Sequence, residues 1–371
     1  MPANPRAEPS ATIPAPATLG LLGGGQLGRF FVQAAHELGY SVWVLDPDPA
    51  SPAGRIADRH LAAAYDDRVA LDALASGCAA ITTEFENVPA PSLEYLARSV
   101  RVRPSAAAIA VCQDRVAEKT FLRDHHLPHG TFAVIRSEQD LATAPPNVFP
   151  GVLKVARLGY DGKGQARVAT RDDALAAWRR LGGTPCVLEA LLPLDCEVSV
   201  VLARDAAGVA TCFPVAENSH RHGILDVSIV PARISATLAE SARQCTQRIA
   251  AALDYIGTLG VEFFVSRGEL YVNEMAPRPH NSGHYTLDAC ATSQFEQQVR
   301  ALCGLPLGKP SLASPAVMVN LLGDLWADGE PEWSVLLSRP GLKLHLYGKH
   351  EARPGRKMGH FTMVGQDLET V

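Results

Sequence analysis

Two glutamates lie at the ends of a predicted hairpin, and its register decides what chemistry they can do. Glu262 and Glu274 enclose a run of alternating apolar and polar residues around a turn at Arg267–Gly268, which predicts two antiparallel strands. A two-residue turn would pair Glu262 with Asn273 and send Glu274 to the opposite face, whereas an odd-numbered loop would place both carboxylates on one face. Facing carboxylates repel and need a cation, and their hard oxygens favour Mg²⁺. The alternative is a solvated edge that carries unrelated acids.

A dense polar run follows this hairpin directly. Pro277 and Pro279 stiffen its backbone, because proline fixes φ. In a chain otherwise rich in alanine and leucine, the run is more typical of a surface that binds substrate than of a connecting loop. Its polar members are Arg278, His280, Asn281, Ser282 and His284.

A glycine-rich loop, Tyr160–Gln165, follows the predicted strand 152–155. Gly162 and Gly164 allow the backbone to approach a polyanion closely, and Lys163 and Lys154 supply positive charge. These features predict a phosphate-binding loop. The alternative is an Asp-Gly hairpin turn with solvated lysines.

A second glycine loop has the spacing Gly23-x-Gly25-x-x-Gly28, and Asp46 ends the next predicted strand. This pattern is a dinucleotide fingerprint, and the acid stands where a ribose-binding residue would lie. Two alternatives remain: a tight turn that lets the first helix pack closely on the sheet, or backbone amides that bind another phosphate.

Four Lys or Arg residues and one histidine are concentrated near the C-terminus of a chain whose formal net charge is −5. They predict either an anion site or an exposed, salt-dependent turn. The members of this basic cluster are Lys349, His350, Arg353, Arg356 and Lys357.

The order of the predicted elements indicates an α/β protein that opens with a doubly wound parallel sheet. Leu19–Leu22 predicts a strand, an amphipathic helix follows to Leu38, and Ser41–Leu45 predicts a second strand. A third predicted strand, Ala79–Thr83, carries Glu84 at its C-terminal end, which is the edge where such sheets bind ligands.

The domain boundaries follow from changes in this pattern. The Pro- and Ala-rich residues 1–17 are predicted to be a disordered extension, and the parallel-sheet domain spans residues 18–115. A helix is predicted over Asp114–Asp124, followed by alternating strands and helices through residue 305. A small C-terminal domain, mostly strands and turns, is predicted over residues 306–371.

Bulk composition excludes several classes of protein. The chain has 371 residues, 47% of them hydrophobic and 20% charged, as in folded globular proteins of two or three domains. Its acidic balance argues against a nucleic-acid partner, and no apolar run is long enough to cross a bilayer. Eight scattered cysteines without C-x-x-C spacing favour reduced thiols and a cytoplasmic setting.

Together these segments resemble the 5-(carboxyamino)imidazole ribonucleotide synthetase family, ATP-grasp enzymes of bacterial and fungal purine synthesis. The acidic run into His284 and the terminal basic motif are its most specific marks, and the glycine loops are common to many families. The matching segments are Gly23–Gly28, Thr83–Pro89, Gln113–Arg115, Tyr160–Gln165, Glu217–His220, Val272–His284 and Arg353–His360.

The resemblance implies an ATP-grasp fold, α/β overall and α+β in the grasp portion. It comprises an N-terminal parallel-sheet domain, a central ATP-grasp domain over residues 116–305 with a lid at about 150–205, and a small C-terminal domain. The implied reaction uses ATP, Mg²⁺, bicarbonate and 5-aminoimidazole ribonucleotide, and forms the N-carboxy product through carboxyphosphate, with ADP and phosphate. A homodimer is expected, with neither nucleic acid nor membrane as partner.

The resemblance also implies residue roles. It assigns catalytic roles to Tyr160, Asp161, Lys163 and Arg278, and metal binding to Glu262 and Glu274. The residues implied to bind ATP are Arg115, Lys154, Tyr160, Asp161, Gly162, Lys163, Gly164, Gln165, Glu189, Ala190, Leu191, Leu192, Glu197, His220, Asn273 and Glu274. The residues implied to bind substrate are Gln26, Glu84, His280, Asn281, Ser282, His284, Lys349, Arg353 and Arg356.

Two rival functions share part of this pattern. A formate- or amino-acid-dependent ATP-grasp ligase would keep the ATP-binding residues and differ in its acceptor. An NAD-dependent dehydrogenase would explain Gly23–Gly28 and Asp46, but it leaves the acidic hairpin and the basic cluster without a role.

Overall fold

The computed structural model describes residues 11–159 and 164–367. Its first unit is a five-stranded sheet made of β1 (Thr18–Leu22), β2 (Ser41–Leu45), β3 (Arg59–Leu61), β4 (Ala80–Thr83) and β5 (Arg101–Val102). The strands are all parallel, in the order β3-β2-β1-β4-β5. Strand β1 therefore lies at the centre, and the chain crosses from one side of it to the other after β3, as in doubly wound folds.

Four helices cover this sheet: α1 (Gln26–Glu37), α2 (Arg68–Gly77), α3 (Ala90–Leu96) and α4 (Ala106–Cys112). Helix α1 buries Leu27, Phe30, Phe31 and Ala34, which recur at helical spacing and face the sheet. The helix is followed by Gly39 at φ +82°, a conformation that glycine adopts without strain. The predicted strand–helix–strand opening is confirmed.

The second unit is a small antiparallel sheet in the middle of the chain. Its strands are β6 (Phe132–Ile135), β7 (Gly151–Val155), β8 (Gln165–Val168) and β9 (Cys186–Ala190), in the order β6-β9-β7-β8. It is preceded by α5 (Arg115–Asp124) and packs against α6 (Glu138–Thr143) and α7 (Arg171–Arg180), with a short 3₁₀ turn at Pro146–Val148.

The third unit is a nine-stranded sheet. Its strands are β10 (Cys196–Arg204), β11 (Ala210–Cys212), β12 (Ala216–Arg221), β13 (Ile224–Val230), β14 (Gly257–Ser266), β15 (Glu269–Ala276), β16 (Ala316–Leu322), β17 (Leu342–Leu346) and β18 (Lys357–Val364). Eight run in the order β15-β14-β10-β12-β13-β16-β18-β17, and β11 pairs with β10. The C-terminal strands thus continue the central sheet, so the predicted C-terminal unit shares its hydrogen-bond ladder with the middle of the chain.

The remaining helices are α8 (Ala236–Ala252), α9 (Thr286–Ala289), α10 (Gln294–Cys303) and α11 (Trp333–Leu337), with 3₁₀ turns at Asn281–Gly283 and Gly323–Trp326. Helix α8 packs on β10 and β14. Helix α10 joins the parallel sheet to the nine-stranded one, because Phe295, Val299 and Leu302 lie in one core cluster with Phe30 and Tyr347. No helix among the described residues is long and apolar enough to span a bilayer.

Residues 11–17 differ from the prediction. We expected them to belong to a disordered extension, yet their backbone is bound to the end of α10: the Ile13 amide donates to the Cys303 carbonyl at 2.8 Å. The Tyr40 hydroxyl donates to the Ile13 carbonyl, and Arg101 donates to the Ala11 carbonyl. Composition alone did not reveal these acceptors, since backbone carbonyls carry no sequence signal.

Candidate active site

A β-bulge sets the register of the acidic hairpin. Ser266 pairs with Glu269, so the turn does contain only two residues, and this register continues as far as Phe263 opposite Val272. It would then pair Glu262 with Asn273, as predicted for such a turn. Instead Asn273 is an extra residue and Glu262 pairs with Glu274. The rule from turn length alone was wrong here, because it assumed an unbroken ladder.

The two facing carboxylates have opposite titration behaviour. Burial and the neighbouring charge of Glu274 raise the pKa of Glu262 to about 7. Although burial opposes its ionisation, Arg115 holds the pKa of Glu274 at about 2, with a guanidinium-to-carboxylate distance of 3.0 Å. One carboxylate therefore has its own cation, and the other still lacks a full positive counter-charge.

The small sheet supplies a second buried carboxylate, which forms ion pairs with two lysines. Glu189 on β9 lies 3.0 Å from the Lys119 ammonium and 2.9 Å from that of Lys154. Burial opposes its ionisation, but the two lysines hold the pKa of Glu189 at about 2. Lys154 also donates to Asn273 Oδ1 at 3.4 Å, and Asn273 donates to Glu262 at 3.4 Å. The two sheets therefore meet at this group of charged side chains.

The loop between β9 and β10 and the start of β10 border the same region. Ala190 ends β9, Leu191 is 43% exposed, and Leu192 is partly covered. Glu197 on β10 lies 3.1 Å from His220 Nδ1 on β12. Burial opposes protonation of His220, but Glu197 and Glu262 raise its pKa.

A buried polar network fixes the tautomer of His280. Asn218 donates to Ser199 Oγ at 2.9 Å, and the Ser199 and Ser282 hydroxyls are 2.7 Å apart. Ser282 Oγ lies 2.8 Å from His280 Nδ1, which also accepts the Ser282 amide. Because Nδ1 is an acceptor, Nε2 carries the proton and faces Glu262 Oε1 at 3.4 Å. Burial and Arg278 lower the pKa of His280 to about 3, so the ring is neutral.

Arg278 connects the hairpin to the parallel sheet. Its guanidinium donates to Glu86 at 2.6 Å, just beyond the C-terminal end of β4. Arg278 also lies close enough to Glu84 and Glu274 for their charges to stabilise it, although burial opposes this. The ligand-binding edge expected for the parallel sheet therefore faces the acidic hairpin.

The first glycine loop is occupied by carboxylates of the same sheet. The Gly24 amide donates to Asp46 at 2.7 Å, and the Gly25 amide donates to Glu84 at 2.6 Å. A Cβ on Gly28 would lie 2.9 Å from the Gly23 carbonyl oxygen. These contacts agree with a tight turn under close packing. They do not fit a dinucleotide site, because Asp46 binds the loop itself and is only 9% exposed.

Four residues of the basic cluster, all except Lys357, line a cleft of about 500 Å³ together with Glu351. Lys349, Arg353 and Arg356 lie on one side, and the loop that contains Asp48, Ala50 and Pro52 lies on the other. Arg55 donates across the cleft to the Gly348 carbonyl at 3.1 Å. Gln26, at the start of α1, is partly exposed in the same N-terminal domain.

Three residues of the polar run have internal partners. Asn281 exchanges hydrogen bonds with Asn320 at 2.8 and 3.1 Å, and Ser282 belongs to the His280 network. His284 is fully buried against Phe30 and Phe295. Of these three side chains, only that of Ser282 bonds to His280.

The predicted phosphate-binding loop, Tyr160–Gln165, lies partly outside the described residues. Tyr160, Asp161, Gly162 and Lys163 lie outside the described residues, so their predicted roles stay predictions. Of the rest of that loop, Gly164 has φ +69° and Gln165 begins β8.

Sequence reasoning missed several residues that the structure places here. Lys119 follows Arg115 by one helical turn on α5, a spacing that puts both on one face and was available as a signal. Ser199 lies on a strand and gave no signal of its own, whereas Asn218 lies within the family-matching segment Glu217–His220 but was assigned no role. Lys357 was recognised only as part of the basic cluster, but its charge lowers the pKa of Glu262.

One further polar cluster lies apart from these residues. Metal-ligating atoms of Asp288, His345 and His360 lie within 4.8 Å of one another. The His345 and His360 rings, however, are stacked at an interplanar angle of 18° and a centroid distance of 4.6 Å. Nearly parallel rings cannot direct both lone pairs at one ion, so we assign no metal here.

The sequence matches three family models in chain order. They describe a ribonucleotide synthetase preATP-grasp domain over residues 16–113, an ATP-grasp domain over residues 120–295 and a phosphoribosylaminoimidazole carboxylase C-terminal domain over residues 316–371. The predicted fold class, an ATP-grasp fold behind an N-terminal parallel-sheet domain, is confirmed.

Curated relatives are similar over nearly their whole length. The N5-carboxyaminoimidazole ribonucleotide synthase of Brucella melitensis is 46% identical over 351 residues, which cover 94% of this chain and 96% of the relative. The enzyme of the same name from Bacillus subtilis is 42% identical over 354 residues, or 94% and 92% of the two chains.

Solved structures agree with these relatives. An ADP complex of an N5-carboxyaminoimidazole ribonucleotide synthetase has a TM-score of 0.92 and 41% identity, and covers 97% of this chain and 96% of that one. The Aspergillus clavatus enzyme, solved with ADP and 5-aminoimidazole ribonucleotide, has a TM-score of 0.87 and 32% identity over 96% and 95% of the two chains. This chain belongs to the N5-carboxyaminoimidazole ribonucleotide synthase family of ATP-grasp ligases.

Proposed function

We propose that this enzyme carboxylates the amino group of 5-aminoimidazole ribonucleotide with ATP and bicarbonate. The observation that carries the proposal is the bulged hairpin, which sets Glu262 against Glu274 within reach of Arg115 and Lys154. Such a group of charges suits phosphoryl transfer, where most of the catalysis is positioning and charge neutralisation. The dehydrogenase alternative is not retained, since family membership and the filled glycine loop both oppose it.

The proposed reaction has two stages. A bicarbonate oxygen attacks the γ-phosphorus of ATP, the bond to the β-γ bridging oxygen breaks, and ADP leaves with the bond electrons. The resulting carboxyphosphate splits into carbon dioxide and phosphate. The amine of the ribonucleotide then attacks carbon dioxide and loses a proton, which phosphate accepts. Enclosure keeps water from the labile intermediate.

Residue roles follow from charge and position. Arg115 and Lys154 would neutralise the ATP phosphates, with the glycine loop at residues 160–165 proposed to cover them. Glu189 and Ala190–Leu192 would contact the adenine, Glu197 the ribose, and His220 the nucleotide. Arg278, fixed by Glu86, provides a permanent cation for bicarbonate or its phosphorylated product. The neutral His280 would act as a hydrogen-bond donor and not as a base, because its Nδ1 already accepts from Ser282.

The donor atoms at the hairpin fit Mg²⁺. Glu262, Glu274 and Asn273 offer hard oxygens, and the raised pKa of Glu262 marks a carboxylate whose charge is only partly compensated. When bound, Mg²⁺ would shield the ATP phosphates and offset the repulsion between the two glutamates.

The ribonucleotide phosphate is proposed to bind the basic cluster. Lys349, Arg353 and Arg356 converge on the cleft beside the N-terminal domain. Gln26 and Glu84 would contact the remainder of this substrate from the edge of the parallel sheet. An organic phosphate matches the size and charge of this cleft.

An ADP-release assay tests the acceptor. ADP formation should need both bicarbonate and 5-aminoimidazole ribonucleotide, and a coupled assay should detect the N-carboxy product. ADP formation that instead depends on formate or an amino acid would show the rival ligase.

A further inference from the structure

The bulge in β15 is held from outside the sheet by two residues of helix α5. Strand β15 is an edge strand, and its outer side makes one isolated parallel bridge, between Val272 and His129, in which the Val272 amide donates to the Pro128 carbonyl at 2.9 Å. On that side the Met275 amide donates to the Glu118 carboxylate. The Lys119 ammonium donates to the carbonyls of Val272 and Asn273 at 3.2 and 2.9 Å. The three backbone groups belong to Asn273, the extra residue of the bulge, and to residues before and after it.

Both side chains are almost completely buried. Glu118 is 2% exposed and Lys119 1% exposed. Burying an ionisable group costs free energy unless its hydrogen bonds are satisfied. Lys119 uses all three donors, since its remaining contact is with Glu189 at 3.0 Å. These bonds offset the cost of burial only while the bulge is in place.

Without this support, another register is available to the hairpin. The two-residue turn favours the unbroken ladder that pairs Glu262 with Asn273. A slip of one residue would move Glu274 to the other face, away from Arg115. An edge strand resists such a slip weakly, because only β14 pairs with it through a ladder.

We propose that Glu118 and Lys119 are positioning residues that hold the Asn273 bulge and so keep Glu274 opposite Glu262. Glu118 acts through the backbone of β15, and Lys119 acts through that backbone and through Glu189. The consequence for metal binding rests on the proposed function of the Glu262–Glu274 pair, whereas the consequence for register does not.

Glu118→Met is the decisive variant, because Glu118 contacts the backbone of β15, whereas Lys119 also contacts the nucleotide-side carboxylate Glu189. It removes the acceptor for Met275 and preserves helix propensity and bulk. We expect a crystal structure of the variant to show Glu262 opposite Asn273. Mn²⁺ affinity in the presence of ADP, followed by electron paramagnetic resonance, should fall about 10- to 100-fold.

Conservative and control variants separate this role from general destabilisation. Glu118→Gln keeps an acceptor for the Met275 amide and should retain near wild-type Mn²⁺ affinity. Lys119→Met should show the same register change as Glu118→Met. Arg123→Met removes an exposed cation one turn further along α5 and should change neither readout.

Two outcomes would overturn the proposal. One is Glu118→Met with the Glu262–Glu274 pairing intact, and the other is a changed register in the control Arg123→Met. A changed register in Glu118→Met with Mn²⁺ affinity within about twofold of wild type would confirm the clamp and refute the metal role of the pair. If Glu118→Met does not fold, Glu118→Asp withdraws the carboxylate by one methylene. Unchanged exchange protection of the Met275 amide would then count against the clamp.

Glu274→Gln, measured in parallel, distinguishes this proposal from the proposed function. Retained Mn²⁺ affinity in Glu274→Gln would refute the metal role of the pair. The register seen in Glu118→Met would still decide whether the clamp exists.

Discussion

At the scale of single residues, the site is organised by how each buried charge is compensated. Glu274 has Arg115, and Glu189 has Lys119 and Lys154, so both remain ionised at neutral pH. Glu262 instead faces Glu274 and contacts the neutral side chains of His280 and Asn273, and the charges of His220 and Lys357 lower its pKa without cancelling the rise. The hairpin therefore contains one carboxylate whose charge a further cation would stabilise.

Glu274→Gln is expected to lower kcat about 100- to 1,000-fold, because it removes a charge on which the proposed phosphoryl transfer depends. The amide keeps the shape of the side chain and can still accept from Arg115. Steady-state ADP release at saturating ATP measures the effect. Glu269→Gln, an exposed change on the same strand, is the control. Near wild-type turnover of Glu274→Gln would refute the assignment.

Glu262→Gln is expected to stabilise the ligand-free protein at alkaline pH. The raised folded-state pKa of about 7 means that the fold favours the protonated carboxyl. The stability that Glu262 contributes is therefore present below its ordinary pKa of 4.5 and lost as pH rises through 7. Relative to wild type, the variant should gain up to about 3 kcal/mol between roughly pH 5 and pH 8.

Urea unfolding without nucleotide, at both pH values, measures this difference. Glu94→Gln, an exposed change on α3, should show no comparable pH dependence. A stability difference for Glu262→Gln that is equal at the two pH values would contradict the raised pKa.

At the scale of elements, two strands and the turn after a third form the network around one histidine. Strand β10 contributes Ser199, β12 contributes Asn218, and the turn after β15 contributes His280 and Ser282. Adjacent strands bring these short side chains together although they are far apart in sequence. A histidine held in one tautomer is a better-positioned donor than one that exchanges protons between its nitrogens.

Ser199→Ala tests this network. It leaves the Asn218 amide and the Ser282 hydroxyl without a shared partner, which should cost about 1–3 kcal/mol of stability. We expect kcat to fall about tenfold with little change in KM for ATP, because His280 loses its fixed orientation. Ser266→Ala, which removes a strand hydroxyl bonded to Pro193, is the control. Unchanged kcat in Ser199→Ala would show that the network is purely structural.

At the scale of the whole molecule, the site is assembled from all three sheets. The small sheet brings Lys154 and Glu189, the large sheet brings the acidic hairpin, and the parallel sheet brings Glu86 to Arg278. A single apolar cluster, which includes Phe30, Phe295 and Tyr347, fixes the parallel sheet against the C-terminal strands. The cleft with the basic cluster lies between these same two parts of the chain.

Lys349→Ala is expected to raise KM for the ribonucleotide about tenfold, because a phosphate contact of about 1.4 kcal/mol is lost. The KM for ATP should stay the same, since the ATP residues lie on other strands. Lys343→Ala, an exposed lysine on β17, serves as the control. An unchanged KM for the ribonucleotide would exclude Lys349 from the phosphate site. A homodimer stays a prediction, which light scattering in solution can measure.

The sequence by itself determined the fold class, the order of the elements and most of the candidate residues. Strand and helix periodicity are local, and the polar run after the hairpin is contiguous from Arg278 to His284. These features depend on neighbouring residues, so they can be deduced without the third dimension.

Only the tertiary structure decided the register of the hairpin and the partners of each buried group. The bulge at Asn273 is held by Glu118 and Lys119, which precede it by more than 150 residues. The turn length, which is local, favoured the other register. Long-range hydrogen bonds to the strand edge outweighed it, because a buried charge must find its partner wherever the fold places one.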